Sequence, residues 1–178
     1  MHGIQLWVGL PEEHEESEPS FFHHPKNEFT EFTIEGAHLK LLLGEKFGKS
    51  SPVKVLSDMF YLEGKMKKGS SLTLPITGQE AGVYLVSGEL EVDDQKLTSK
   101  EMYASDSQDK IVLKASADSH FMLLGGKSLG PRFLLWNFVS SSKDRLQEAK
   151  SAWSNGPVTT NPRFHPIPGD DQEFIPFN

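Results

Sequence analysis

The chain has 7 histidines and 25 aspartates and glutamates, the residue types that hold metal ions and pass protons near neutral pH. It has no cysteine, so thiolate chemistry and a disulfide framework are both excluded. The densest donor stretch is Glu12-Glu13-His14-Glu15-Glu16-Ser17-Glu18, followed by His23 and His24. A metal site needs three or four such groups converging on one point. Adjacent residues of an extended chain point to opposite sides, so His23 and His24 do not share an ion. A solvated loop accounts for them better. His2, His38 and His165 stand alone, and His120, beside Phe121 in an apolar run, reads as a strand histidine with one hydrogen bond. Ser140, Ser141 and Ser142 lack a Gly-x-Ser-x-Gly elbow and an evident base, which leaves helix capping as their role. Trp7, Trp136 and Trp153 read as packing anchors rather than as a ligand box.

Composition narrows the class. The chain of 178 residues is long enough for one sizeable core, and 37% apolar residues with 10% aromatics argue against wholesale disorder. The net charge of -7 gives no long-range attraction for a phosphate backbone, so no nucleic-acid partner is expected. No apolar run reaches the roughly 20 residues of a membrane span, and no leader pattern follows Met1. With no cysteine, these features point to a cytoplasmic protein without a membrane partner.

The elements that must position any site are strands. Residues 3–10 alternate and read as a strand, and residues 11–19 as a solvated acidic linker. Further strands are predicted over 31–35, 37–43, 53–55, 59–66, 71–74, 82–87, 89–92, 96–97, 102–103, 111–114 and 119–124, with 37–43 buried on both faces and 44–51 a turn region. Many short strands at close spacing, with glycine turns between them, specify an all-β sandwich or barrel. The serines at 140–142 cap one helix carrying Leu146, Ala149, Lys150 and Trp153, stopped by Asn155 and Gly156. The proline-rich tail reads as an extended arm anchored by Phe164, Phe174, Ile175 and Phe177. Residues 1–28 thus form a strand and linker, 29–139 the barrel, and 140–178 a helix and tail packing on it. If the barrel keeps a cavity, alternation puts Tyr61, Glu80, Tyr84 and His120 inside it. The segment 3–10 needs a sheet edge, and a second copy of the chain supplies one, so a homodimer through this strand is expected.

Residues 69–88 carry the outline of a metal-binding barrel motif. The first cupin motif runs Gly-x5-His-x-His-x3–4-Glu-x6-Gly. Here Gly69 and Gly88 fit, but the ligand positions fall on Pro75, Thr77 and Ala81, none of which offers imidazole or carboxylate. The second cupin motif has no match between Leu97 and Gly126. The chain resembles a cupin-type double-stranded β-helix, a jelly-roll barrel, without metal ligands.

Several further stretches resemble the pirin family: His2-Gly3-Ile4-Gln5-Leu6-Trp7-Val8, Ser50-Ser51-Pro52-Val53, Leu123-Leu124-Gly125-Gly126, Trp136-Asn137-Phe138-Val139-Ser140-Ser141-Ser142 and Pro168-Gly169-Asp170-Asp171. The resemblance implies two-domain cupins with iron held by three histidines and a glutamate of the first domain. The His-Gly-x-Gln-Leu-Trp-Val stretch lies near the middle of such chains. This sequence therefore resembles the C-terminal part of a pirin, with no cofactor of its own and iron expected only in the absent N-terminal domain. The gene or the piece at hand is shortened, or a separate protein supplies the rest. The first expectation is a non-catalytic binding or structural module that packs on a partner domain or on another copy. Its alternative is part of a metal-dependent quercetin 2,3-dioxygenase, and a transcriptional cofactor role follows from the animal relatives.

Overall fold

The structure, a computed structural model, describes residues 3–105, 109–154, 164, 169 and 175–177. Thirteen strands and one helix follow one another among them. The strands are β1 Thr30–Ile34, β2 Ala37–Lys46, β3 Lys49–Ser50, β4 Met59–Met66, β5 Ser71–Pro75, β6 Glu80–Ser87, β7 Glu89–Val92, β8 Gln95–Thr98, β9 Met102–Ala104, β10 Lys110–Ala115 and β11 Ser119–Gly126. The short β12 Phe133–Leu135 and β13 Phe138–Ser140 then precede helix α1 Lys143–Ser154.

The chain divides into two compact units, residues 18–128 and residues 1–17 with 129–178. The first contains β1 to β11 in two antiparallel sheets. The larger has the order β1-β2-β4-β11-β6-β9, with β3 on β2, and the smaller the order β5-β10-β7-β8. Two-residue turns whose residues both have positive φ, Glu35 with Gly36 and Asp93 with Asp94, close the hairpins β1–β2 and β7–β8. Their backbone twist matches the right-handed twist of the strands they join.

Strict alternation builds the core. In β5 and β10, Leu72, Leu74, Ile111, Leu113 and Ala115 are buried, while Ser71, Pro75, Lys110 and Lys114 are exposed. The larger sheet answers with Leu39, Leu41, Phe60, Leu62, Val83, Leu85, Phe121 and Leu123, all without solvent exposure. At roughly 1.5–3 kcal/mol for each large apolar side chain taken out of water, this interior dominates the stability of the unit.

Three expectations need correction. Residues 53–55 form no strand. The strand β2 is not buried on both faces: Ala37, Leu39 and Leu41 are buried and His38 is exposed, because the outer face of the larger sheet carries polar side chains such as Glu31, His38 and Lys65. Residues 3–10 also form no strand, since no other segment pairs with them among the described residues.

In the second unit β12 and β13 make a two-stranded hairpin that contacts α1. Sequence reading missed this hairpin, whose turn is Trp136-Asn137 with Trp136 at φ 53°. A large aromatic is not a turn signal, and the left-handed region is unfavourable for it. Aromatic packing offsets that strain. The Trp136 ring lies 5.5 Å from Phe138, 5.5 Å from Trp153 and 5.3 Å from Phe177, centroid to centroid. Phe164 joins the cluster at 5.3 Å from Trp153. Trp153 Nε1 donates to the carbonyl of Ile175 at 2.8 Å, while the Ile175 side chain is exposed. Helix α1 starts as predicted, with the Arg145 amide donating to Ser142 Oγ. His2, Asn155, Gly156, His165 and Phe174 lie outside the described residues.

Candidate functional site

The interior of the barrel is the first place where chemistry would sit. The motif glycines keep their conformational purpose: Gly69 has φ 86° and Gly88 φ 99°, both in the region that favours glycine. A Cβ on Gly88 would also meet the Asp118 carbonyl at 2.4 Å. The ligand positions between them do not line the interior as spacing implied. Pro75 and Thr77 are exposed, while their neighbours Leu74 and Ile76 are fully buried. With a side-chain period of two, a slip of one residue exchanges the faces of a strand. The inward set is therefore Leu74, Ile76 and Ala81, the last packed against the core. These side chains offer hydrocarbon and no lone pair, so an iron ion of the kind the family holds does not fit them. Among the described residues no group of three or more His, Asp or Glu is arranged around a common point.

The polar residues expected in a cavity are brought together, but on the opposite face. On β11 the residues His120, Met122, Leu124 and Gly126 alternate with inward-facing Phe121, Leu123 and Gly125. The register pairs Leu124 with Tyr61, Met122 with Tyr84 and Gly126 with Glu80. Tyr61, Glu80, Tyr84 and His120 thus share the outer face of the larger sheet, and the cavity reading fails on parity. Gly64 and Gly125 sharpen the point. A Cβ on Gly64 would meet the Phe121 ring at 2.3 Å and one on Gly125 the Phe60 ring at 2.6 Å, so the interior is filled up to the backbone.

On that outer face Lys40 Nζ lies 2.8 Å from Glu31 Oε1 and 3.8 Å from Glu63 Oε2. His120 Nε2 is 2.9 Å from Glu63 Oε1, yet it makes no directed hydrogen bond. The contact of this nitrogen with the carboxylate is one of proximity. Burial pushes the Tyr61 hydroxyl above its usual range, and the Glu63 carboxylate adds to the effect.

The second unit holds a polar clamp that sequence reading took for a solvated linker. Residues Glu12–His14 form a turn of 3-10 helix, which carries Glu15 back toward β13. Glu15 Oε2 accepts from Ser140 Oγ at 2.8 Å, and Glu15 Oε1 accepts from the Ser141 amide at 2.9 Å. Arg132 Nε stands 3.2 Å from Glu15 Oε1, both side chains being only 14% exposed. Burial works against the charge of Glu15, but the hydrogen bonds from Ser140 and Ser141, with the Arg132 charge, outweigh it and hold the carboxyl below its ordinary range. Arg132 Nη2 also donates to the Leu10 carbonyl at 2.9 Å, and Arg145 pairs with Glu16 at 2.8 Å. The signal for this clamp was present in the serine run and in one arginine. No spacing rule links residue 15 to residues 132 and 140.

Above the clamp lies an open groove bordered by Trp7, Val8, Gly9, Leu10, Glu15, Asn137 and Val139. Its lining combines the apolar Trp7, Val8, Leu10 and Val139 with Asn137 and one carboxylate, Glu15, that is already satisfied.

Comparison with known proteins places this arrangement. Residues 61–159 match the model of the pirin C-terminal cupin domain. A pirin-like protein of Caulobacter vibrioides is 40% identical over 173 residues, which cover 94% of this chain and 60% of that protein. Pirin of Rattus norvegicus is 28% identical over 83% of this chain and 54% of its own. A crystal structure described as quercetin 2,3-dioxygenase from Acinetobacter baumannii superposes with TM-score 0.79 at 27% identity, covering 91% of this chain and 53% of that one. The chain spans roughly half the length of the relatives it matches. No helix among the described residues is long and apolar enough to cross a membrane. Sequence, barrel topology and C-terminal helix agree: the chain belongs to the pirin family and contains its C-terminal cupin domain.

Proposed function

We propose that this chain is a non-catalytic binding and structural module, a cupin barrel that has exchanged its reaction chamber for a solid core. One observation carries the reading: where a cupin would point its metal ligands inward, this barrel points Leu74, Ile76 and Ala81. The surfaces then do the work, and small-molecule turnover is not asked of the interior. Iron, where relatives use it, belongs to a domain outside this sequence. A chain without cysteine and with a charge of -7 fits a cytoplasmic protein that does not contact nucleic acid. Tag-free protein equilibrated in turn with iron, zinc, nickel and copper salts and then desalted should retain no stoichiometric metal by elemental analysis. One equivalent retained, and lost when residues inside the barrel are changed, would overturn the reading.

A second reading draws on the likeness to the Acinetobacter baumannii structure, whose description is quercetin 2,3-dioxygenase. In that case this barrel is half of a metal-dependent oxygenase whose metal-bearing cupin is supplied by another polypeptide. Oxygen consumption with quercetin separates the two. The chain alone should not exceed a metal-only blank, and turnover that appears only on adding a metal-bearing cupin favours the second reading.

A further inference from the structure

The first ten residues are the most unusual surface of the molecule. Ile4, Leu6, Trp7, Val8 and Leu10 are 37 to 58% exposed. Residues 3–10 contain no charged side chain. Natural proteins usually guard an unpaired segment with lysine, proline or a bulge, and this one has none before Pro11. Among the described residues no backbone group from Gly3 to Gly9 takes part in a hydrogen bond, and the Leu10 carbonyl is held only by Arg132. The segment is therefore a strand donor without an acceptor.

The acceptor is on the same unit. The hairpin β12–β13 stands as a sheet of two strands, each with an open edge. Its closing pair is Leu135 with Phe138, so the next pair, Leu134 with Val139, directs its N–H and C=O groups away from the hairpin. Both side chains of that pair are exposed, Leu134 by 67% and Val139 by 42%. Val139 also lines the groove, together with Trp7 and Val8. An uncharged donor segment and an uncharged acceptor edge thus face one opening.

We propose that the occupant of this groove is a second copy of the chain: residues 3–10 of each copy add to the open edge of β13 in the other, in a reciprocal contact closed by a two-fold axis. The two-fold arrangement satisfies both donors and both β13 acceptor edges at once and closes the contact at two copies. The alternating Ile4, Leu6, Val8 and Leu10 form one face of the added strand and lie against Val139 and Leu134. The proposal names the partner of the interaction module argued above and rests on that reading, but its test reads oligomeric state and not metal content, so either can fail without the other.

Sedimentation velocity and light scattering of the full chain over a dilution series of about a hundredfold should show a monomer–dimer equilibrium that shifts with concentration. Because each copy carries a charge of -7 and the contact contains no ion pair, added salt should strengthen association. Trp7→Asp and Val8→Pro should each weaken the dimer at least tenfold. Tyrosine absorbance, which reports only residues 18–128, checks that the barrel is intact in both variants. Since the chain has no cysteine, a mixture of the single variants Leu6→Cys and Val139→Cys, oxidised, should give a disulfide-linked pair. A monomer throughout the series, a dimer unaffected by both arm variants, or a dimer that dissolves with salt would each overturn the proposal.

Discussion

The two units treat apolar side chains in opposite ways. In residues 18–128 the large hydrophobics of both sheets turn inward and fill the space to the backbone, with Phe121 lying where a Gly64 side chain would be. In residues 1–17 with 129–178, Ile4, Leu6, Trp7, Val8, Leu134 and Val139 remain exposed, and order comes from a charged clamp and a ring cluster. A filled barrel resists change. A loosely covered unit held by polar contacts offers surface. On the reading proposed above, interaction falls to the smaller unit and stability to the larger. The spectroscopy divides the same way: Tyr61, Tyr84 and Tyr103 all lie in the barrel unit, and Trp7, Trp136 and Trp153 all lie in the other.

The largest expected effect tests the filled interior. Phe121→Ala removes a fully buried ring and should cost about 3–5 kcal/mol in denaturant unfolding followed by tyrosine absorbance. Gly64→Ala drives a methyl to within 2.3 Å of the same ring and should cost about 3 kcal/mol, the upper end of overpacking. The sharper result is a double variant measured against its own two single variants. Gly64→Ala with Phe121→Leu should cost less than the sum of the two single changes, because the smaller side chain makes room for the methyl. Additive costs would mean that the barrel has slack at this point, and the contrast between the units would weaken.

Much of the barrel was legible because its signal is local. Period-two alternation with glycine turns located β1, β2, β4 to β11 and the helix within a residue or a few. The failures are of three physical kinds. Parity was misjudged: Pro75 and Thr77 face solvent where Leu74 and Ile76 face the core, and Tyr61, Glu80, Tyr84 and His120 share the outside of the sheet. Alternation fixes which residues share a face, but not which face is inside. Pairing was assumed: residues 3–10 alternate like a strand and have no partner among the described residues. Distance in sequence hid the rest. Glu15 reaches Arg132 and Ser140 across more than a hundred residues, so an ion pair with two serine hydrogen bonds read as a solvated charge run.

The clamp provides the intermediate effect and a pH dependence. The folded Glu15 carboxyl sits below its ordinary value, so the unfolded chain binds the proton more readily than the folded one. Its stabilisation is fully present above the ordinary glutamate range and is lost as the pH falls through the depressed folded value. Glu15→Gln should cost about 1–3 kcal/mol near neutral pH, since it leaves the largely covered Arg132 without its carboxylate. It should also flatten the acid limb of the tryptophan-monitored unfolding curve while leaving the tyrosine-monitored curve unchanged. A clamp variant that moves both signals equally would show that the two units do not differ in what holds them.

The smallest expected effect concerns Trp136, where backbone strain and ring packing oppose each other. The residue sits at φ 53°, a conformation that costs a side chain with a Cβ about 1–2 kcal/mol. Its ring contacts Phe138, Trp153 and Phe177 and returns more than that. Trp136→Ala keeps the strain and loses the packing. Trp136→Asn loses the same packing, but asparagine tolerates the left-handed region because its short amide hydrogen-bonds locally. The two variants should both be less stable than the parent, with asparagine ahead of alanine by about 0.5–1 kcal/mol, a difference set by the backbone alone. The fluorescence of Trp153, whose ring lies 5.5 Å from Trp136, should shift equally in both, since both remove the neighbouring ring. If alanine proved as stable as asparagine, the turn would relax out of the left-handed region once the ring is gone. The ring cluster would then be what imposes the turn, and the hairpin's open edge would depend on it.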